Sequence, residues 1–393
     1  MKFFHIADVH LGAWKEPQLS RLADKAFEEV VNQTISQKAD FLLIAGDLFD
    51  TSLPSIDKTK LAVECLKRLQ ENNIPVYAIA GSHDYSPTGK TILEVLEKAG
   101  LLHIVSKGTQ ENNNLTLKYT RDARTKTLIT GIPGKKGMLD KKYYEILNRS
   151  IQDDKNFRIF MLHTAISELQ PKDLYMDSQP MSILPEGFDY YAAGHVHSSL
   201  EAEYSKGKIV FSGPLFPTNF RELEENSAGY VIYDNGRIER IKNRQNILSL
   251  NLHFNNEKPE QVRAKIKREL EKDIKNAIIT IRLSGTVDGK ISDINFKDIY
   301  QMLYNNGAYY VTKNITKLST KQLETIKLDV TNKEDVELKI IEEHISQAKT
   351  SFDQREMVKA LMATLSEEKN ENEKISDFNE RIIKSFDEIF KGE

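Results

Sequence analysis

Seven short apolar runs constrain the fold most. They occupy residues 3–7, 41–45, 76–80, 159–162, 190–193, 209–212 and 230–233, each four or five residues long. Runs this short, bounded by polar and glycine-containing segments, read as strands rather than helices. Residues 19–37, 56–72 and 89–99 lie between the early runs and have helical length and pattern. Strand–helix–strand order that gives way to closer-spaced strands predicts an α/β domain with packed sheets. At roughly 100–200 residues per domain, a chain of 393 residues holds two or three domains.

A second unit is expected from about Asn251. Residues 259–275 read as a charged helix, 278–284 as an alternating strand, 296–304 as a helix and 309–312 as a strand, making a small α+β domain. The expected boundaries are 1–250, 251–330 and 331–393. Beyond Asp335 the pattern is almost wholly helical and carries three apolar stripes. Ile340, Ile341, Ile345 and Ala348 form the first. Met357, Val358, Leu361, Met362 and Leu365 form the second, and Ile375, Phe378, Ile382, Phe386 and Ile389 the third. Polar helices that follow a finished α/β domain have few places to bury such stripes. We therefore read them as docking onto a partner.

Composition narrows the class further. With 39% hydrophobic and 29% charged residues, the chain can bury a core, which excludes wholesale disorder. No apolar run of about 18 residues exists, so no transmembrane helix is expected. The first residues turn charged too early for a signal peptide. Cys65 is the single cysteine, which excludes an internal disulfide or a thiolate metal site. A soluble, cytoplasmic protein is expected. The net charge of −3 leaves no bulk nucleic-acid footprint. Residues 331–393 hold 10 basic and 16 acidic side chains, a net of −6, so the remainder sums to +3. Such a body can still carry a basic groove.

The chemistry concentrates in five segments: Asp8-Val9-His10, Gly46-Asp47-Leu48-Phe49-Asp50, Gly81-Ser82-His83-Asp84, Leu162-His163 and Gly194-His195-Val196-His197. Each ends an apolar strand, where open α/β sheets place their sites. Five of the nine histidines lie there. On an extended chain, residues i and i+2 point to one side, so Asp8 with His10, and His195 with His197, are expected to converge. Glycines before Asp47, Ser82 and His195 are expected to permit sharp turns. Imidazole with carboxylate, and no thiolate, suits Mn²⁺, Fe or Zn²⁺ better than Ca²⁺. Asp8, His10, Asp47, His163, His195 and His197 exceed the needs of one tetrahedral ion. Two ions sharing a carboxylate use them more naturally, and such pairs, about 3.5–4 Å apart, clamp an in-line displacement at phosphorus. Singly, each segment reads as a turn, a loop or a core histidine. Five in order at strand ends confirm one another.

This ordered set resembles the calcineurin-like metallophosphoesterase superfamily, whose pattern is D-x-H, G-D-x-x-D, G-N-H-D/E, H and G-H-x-H. Asp8-Val9-His10-Leu11-Gly12 and Gly46-Asp47-Leu48-Phe49-Asp50-Thr51 are similar to its DNA-repair branch, the SbcD-type and meiotic-recombination-eleven-type nucleases. The resemblance covers residues 8–197. It implies a four-layer αββα sandwich, then an α+β capping domain that selects DNA, then C-terminal helices that bind a coiled-coil ATPase. One ion would be held by Asp8, His10, Asp47 and His197, the other by Asp47, Ser82, His163 and His195, with manganese the expected metal. His83 would lie beside the ions and protonate the leaving oxygen, and Asp84 would orient His83. Ser82 replaces the superfamily's asparagine with a shorter, weaker donor, which implies a weaker second site.

The implied activity is metal-dependent exonucleolytic and endonucleolytic cleavage of DNA during double-strand-break processing. The implied partners are DNA ends and single-stranded regions, an SMC-like ATPase of SbcC type, and a second copy of the chain, with a nucleoid-associated location in a prokaryote. Leu61, Leu66 and Leu69 are candidates for either the dimer helices or the core. A phosphodiesterase acting on a small substrate, and a weakly active scaffold caused by Ser82, are the competing readings. Asp50 reads mainly as a turn residue that also has reach to His10 or His83. Ser212-Gly213-Pro214 reads as a turn, and Lys135, Lys136, Arg121 and Arg124 as solvated surface near possible phosphate contacts. His5, His103 and His253 read as structural, and Trp14 as packing.

Overall fold

The structure, a computed structural model, describes residues 1–86, 88–149, 155–170, 176–270, 274–320, 354–367 and 375–391. The chain forms two compact units, Met1–Gln322 and Leu323–Glu393.

The apolar runs assemble into two six-stranded sheets. In the first, β1 (Lys2–Ile6), β2 (Phe41–Ala45), β3 (Val76–Ile79) and β4 (His103–Ile104) are parallel neighbours. The antiparallel β13 (Gly229–Asp234) and β14 (Arg237–Lys242) extend it on the β1 side. In the second, β8 (Leu128–Ile132), β9 (Arg158–His163), β10 (Tyr190–Gly194) and β12 (Gly207–Phe211) are parallel neighbours. The antiparallel β7 (Thr120–Arg121) and β11 (Leu200–Tyr204) form its edges. A separate hairpin pairs β5 (Gly108–Glu111) with β6 (Asn114–Leu117).

Strand alternation explains the layers. Phe3, Phe41, Leu43 and Tyr77 point from the first sheet toward Ile159, Met161, Tyr190 and Ala192 of the second, making the central layer. Phe4, Ile6, Leu42 and Ile44 point the other way. They pack with Phe27 and Val30 of α1 (Pro17–Ser36), Leu66 and Leu69 of α2 (Ile56–Glu71), and Leu93 of α3 (Ile92–Lys98). Leu66 and Leu69 are therefore core residues, and Leu61 is half-buried against them. On the far side, Phe160, Leu162, Tyr191 and Phe211 are covered by Tyr144 of α4 (Lys141–Glu145), 3₁₀ turns and loops. This is the expected sandwich, with a thin outer layer on the second sheet. The register pairs Ile6 with Ile44, Ala45 with Ile79 and His163 with Gly194. The parallel strands of each sheet thus end together, and the loops that follow them meet.

The helix α5 (Phe220–Glu225) lies between β12 and β13 in the chain. The small α+β part follows. It comprises β15 (Ile247–Glu257), α6 (Pro259–Glu269), β16 (Ile278–Val287), α7 (Phe296–Asn305) and β17 (Tyr310–Thr320), its three strands forming a parallel sheet. Phe254, Val262, Ile279, Ile281, Ile299 and Leu303 make its core. The strand β15 carries an apolar–polar alternation, Leu248, Leu250, Leu252 and Phe254, which the expected boundary at Asn251 cuts in two. The helix expected over 89–99 starts at Ile92, because the Thr91 hydroxyl caps it by accepting from Leu93 N at 3.2 Å.

In the second unit, α8 (Gln354–Leu365) and α9 (Ile375–Lys391) pack against each other. Phe378, Ile382 and Phe386 are half-buried, whereas Leu365 is exposed. The stripe Ile340, Ile341, Ile345 and Ala348 lies outside the described residues. Among the described residues no helix is long and apolar enough to cross a membrane.

Candidate metal centre

The five strand-end loops meet at one point, and backbone hydrogen bonds stitch the first two together. Asp8 N donates to Gly46 O (3.1 Å), His10 N to Asp47 O (3.0 Å) and Leu11 N to Leu48 O (3.0 Å). The convergence of Asp8 with His10 does not arise from strand alternation. Asp8, His10, Asp47 and His195 have φ of 50°, 46°, 50° and 85°, in the left-handed region. Non-glycine residues held there cost about 1–3 kcal/mol each and persist where surrounding structure fixes them. The expectation about the glycines also needs correcting. Gly46, at φ 91°, makes the sharp turn. Gly81 and Gly194 instead leave space: a Cβ would lie 2.3 Å from Asp47 Oδ1 at Gly81, and 2.2 Å from Ala45 O at Gly194.

Asp47 is the hub. Its Oδ2 lies 3.0 Å from His163 Nε2, 3.8 Å from His10 Nε2 and 3.5 Å from Ser82 Oγ. Its Oδ1 accepts from His83 N at 2.7 Å. Asp8 Oδ1 lies 3.7 Å from His197 Nε2 and 3.9 Å from His163 Nε2, and accepts from His195 N at 3.0 Å. His10 Nε2 and His197 Nε2 face each other at 3.2 Å. Donor atoms therefore cluster in three overlapping groups: Asp8–His10–His197, Asp8–Asp47–His163 and His10–Asp50–His83. His195 stands beside them with its ring against His163, centroids 5.2 Å apart.

The ring protons show what this set is suited to hold. His163 Nδ1 lies 2.8 Å from Ala45 O, which can only accept, so Nδ1 carries a proton and the neutral ring turns its Nε2 lone pair inward. His197 Nδ1 likewise donates to Glu222 Oε1 at 2.8 Å. Buried carboxylate oxygens and imidazole lone pairs thus converge without an equal number of donors. That electron-rich arrangement fits a divalent cation.

In the metal-free site protons take the cation's place on two of these rings. Burial penalises the Asp47 charge, but His163 and His10 outweigh it and hold the carboxyl well below the usual range. Burial also disfavours a charged His163, yet Asp47 at 3.0 Å raises it to about 10. His195 is lowered to about 4 by burial and then by His163. His197 is raised to about 9, burial being overcome by Glu222 and Asp8. Asp84 is pushed up to about 7 by burial and by Asp47.

The structure gives Asp84 a different task from the one expected. Its carboxylate accepts from Gly81 N (2.9 Å) and Phe49 N (3.2 Å), tying two loops together. His83 is oriented by the backbone of Asp50 instead, donating from Nδ1 to Asp50 O at 2.7 Å. The Asp50 carboxylate also lies 3.3 Å from His10 Nδ1, though off the hydrogen-bond line, so Asp50 does more than shape a turn.

Glu222 was not legible as a site residue, although Asn219-x-x-Glu222 has capping-box spacing and Asn219 does cap α5. Trp14 packs as expected and donates from Nε1 to Pro217 O at 2.6 Å. Lys135 Nζ reaches Tyr143 OH at 2.7 Å and, with Lys136, Ser82, His83, His163 and His195, lines a cavity of about 350 Å³. Arg124 is bound to Ala39 O and Asp40, away from that cavity's lining. His5 bonds Tyr190 OH at 3.0 Å, His103 stacks on Tyr77, and His253 lies 3.0 Å from Ser284 Oγ.

Residues 1–199 match the calcineurin-like phosphoesterase family. Among curated proteins, the chain is 32% identical over 233 residues to the DNA double-strand break repair protein Mre11 of Archaeoglobus fulgidus, covering 57% of this chain and 52% of that protein. It is 26% identical over 246 residues to the protein of that name from Methanococcus maripaludis, covering 60% of this chain and 63% of the relative. It is 26% identical over 404 residues to that from Sulfurisphaera tokodaii, covering 95% and 99%. The chain spans about half the length of the first of these relatives.

Gly81→Ala tests the crowding around Asp47. The added Cβ, 2.3 Å from Asp47 Oδ1, must displace the hub carboxylate. Mn²⁺ affinity measured by calorimetry should fall about 10-fold or more with the circular dichroism unchanged. Unaltered affinity would show that Asp47 is not a ligand.

Proposed function

The chain belongs to the calcineurin-like phosphoesterase family, and from that premise we propose that it is a metal-dependent DNA exonuclease and endonuclease acting in double-strand-break processing. The observation that carries the reading is the convergence of the Asp8, His10, Asp47, His163 and His197 donor atoms beside a histidine held by its Nδ1.

Two divalent ions, manganese by preference, would be held in this site. Asp8, His10, Asp47 and His197 would bind one, and Asp47, Ser82, His163 and His195 the other. Bound ions supply Lewis-acid charge for in-line displacement at a phosphodiester. The chain's own residues do the rest. Asp47, within reach of both His10 and His163, would belong to both sets. His163 and His197 keep their Nδ1 protons on fixed acceptors and so present Nε2. His83 is held by Asp50 O through Nδ1, which leaves Nε2 to deliver a proton to the leaving oxygen. Lys135 and Lys136, on the wall of the adjoining cavity, are placed to hold a neighbouring phosphate.

DNA is favoured over a small substrate by two features. The relatives' printed names concern DNA double-strand-break repair, and one of them aligns over 95% of this chain. The α+β domain (expected over 251–330) adds a second body that a small ester would not need. In this reading residues 1–250 carry the chemistry and 251–330 select DNA. Residues 331–393 dock an SMC-like ATPase of SbcC type. The working form is a homodimer in a prokaryotic cytoplasm.

End-labelled linear duplex should be degraded by the purified chain with Mn²⁺ and left intact with chelator. His83→Ala should lower that rate roughly 10²–10⁴-fold while leaving Mn²⁺ binding unchanged. Loss of bound metal in this variant would refute the leaving-group role. Hydrolysis of model esters without any duplex cleavage would favour the small-substrate reading.

Ser82→Asn should tighten the weaker Mn²⁺ site, since an amide oxygen reaches farther and donates better than a hydroxyl. A titration with equal affinities before and after the change would remove residue 82 from the ligand set. A chain ending at Gln322, where the first unit closes, should still cut duplex but no longer co-elute with the ATPase on a sizing column. Retained co-elution would sink the docking assignment.

A further inference from the structure

Glu222 lies on α5, outside every strand-end loop, and is only 8% exposed. Its carboxylate accepts four hydrogen bonds: from His197 Nδ1 (2.8 Å) and Asn219 Nδ2 (2.5 Å) on Oε1, and from Thr218 N (2.8 Å) and Thr218 Oγ1 (3.0 Å) on Oε2. A carboxylate surrounded only by donors is fixed in place. The bond it takes from Nδ1 decides which nitrogen of His197 faces Asp8 and His10.

The helix that carries Glu222 is itself clamped from elsewhere. At six residues, α5 is too short to be stable alone. Two residues beyond Glu222, the Glu224 carboxylate receives Arg282 of β16, whose Nε lies 3.1 Å from both oxygens. The same guanidinium sits 5.0 Å from the centroid of the Phe220 ring at the start of the helix. Arg282 thus grips both ends of α5 from the α+β domain.

We propose that Glu222 is a positioning residue for His197, and that the Arg282–Glu224 clamp lets the α+β domain set the orientation of that imidazole through α5. The inference rests on the reading of Asp8, His10 and His197 as a metal site. It adds that the small domain holds that site in register from the opposite side of α5. Displacement of the α+β domain, for example when DNA is bound, would then be felt at His197.

The test uses the full-length chain with ¹⁵N-labelled histidine. Ring spectra are recorded without metal, and Mn²⁺ affinity is measured by calorimetry. Wild type should show His197 as the Nδ1-protonated form when neutral. Glu222→Ala should give a mixture of ring forms at His197, an unchanged His163, and a 10–100-fold loss of Mn²⁺ affinity. Glu222→Gln, whose amide oxygen still accepts from Nδ1, should recover the His197 form and part of the affinity. Arg282→Met should move both readouts in the same direction by a smaller factor.

Wild-type spectra and affinity in Glu222→Ala would overturn the positioning role, and the same result in Arg282→Met would overturn the clamp. Equal disturbance of His163 and His197 in Glu222→Ala would mark a general structural role and also overturn the proposal. If wild type binds no Mn²⁺, the metal reading fails instead, while the His197 spectrum still reports on Glu222.

Discussion

The structure depends on one contact between the two sheets. His163 ends β9 of the second sheet, Asp47 follows β2 of the first, and Nε2 meets Oδ2 at 3.0 Å. The apolar layer of Phe3, Leu43, Met161 and Tyr190 fixes how the sheets face each other. The contact therefore inherits its accuracy from the core. Gly46 leaves room for the His163 ring, since a Cβ there would lie 2.1 Å from Nδ1. Close packing at this depth tolerates displacements of only a few tenths of an ångström, the accuracy that a shared-ligand metal site demands.

The strand-end loops show the same economy. Asp8, His10, Asp47 and His195 adopt positive φ, and each is tied by backbone bonds to another loop or to a neighbouring carboxylate. Asp84 supplies one such tie without meeting His83, and Asp50 supplies another through its carbonyl oxygen. The local strain is thus held by a network that extends beyond the clustered carboxylates and imidazoles.

Much of this arrangement was legible in the sequence because carboxylates and imidazoles at strand ends leave short, ordered motifs. Asp8, His10, Asp47, His163 and His197 announced themselves by residue type and position. Three kinds of feature did not. Glu222 lies 25 residues from its partner His197, and its side-chain bond leaves no trace in spacing. Gly81 and Gly194 looked like turn residues, because sequence does not distinguish freedom of φ from a need for space. The strand β15 does alternate, with Leu248, Leu250, Leu252 and Phe254 on its core face, but the expected domain boundary at Asn251 falls inside it and divides the pattern. Ser82 was legible as a departure from the family pattern, and its hydroxyl does sit in the site, 3.5 Å from Asp47 Oδ2.

The central claim is that these loops form one divalent-cation centre shared by both sheets. Crystals soaked in Mn²⁺ and measured at the manganese absorption edge test it directly. The account predicts an anomalous peak among Asp8, His10, Asp47 and His197, and a weaker one toward Ser82, His163 and His195. Peaks confined to other surfaces, with none within coordination distance of Asp47, would contradict it.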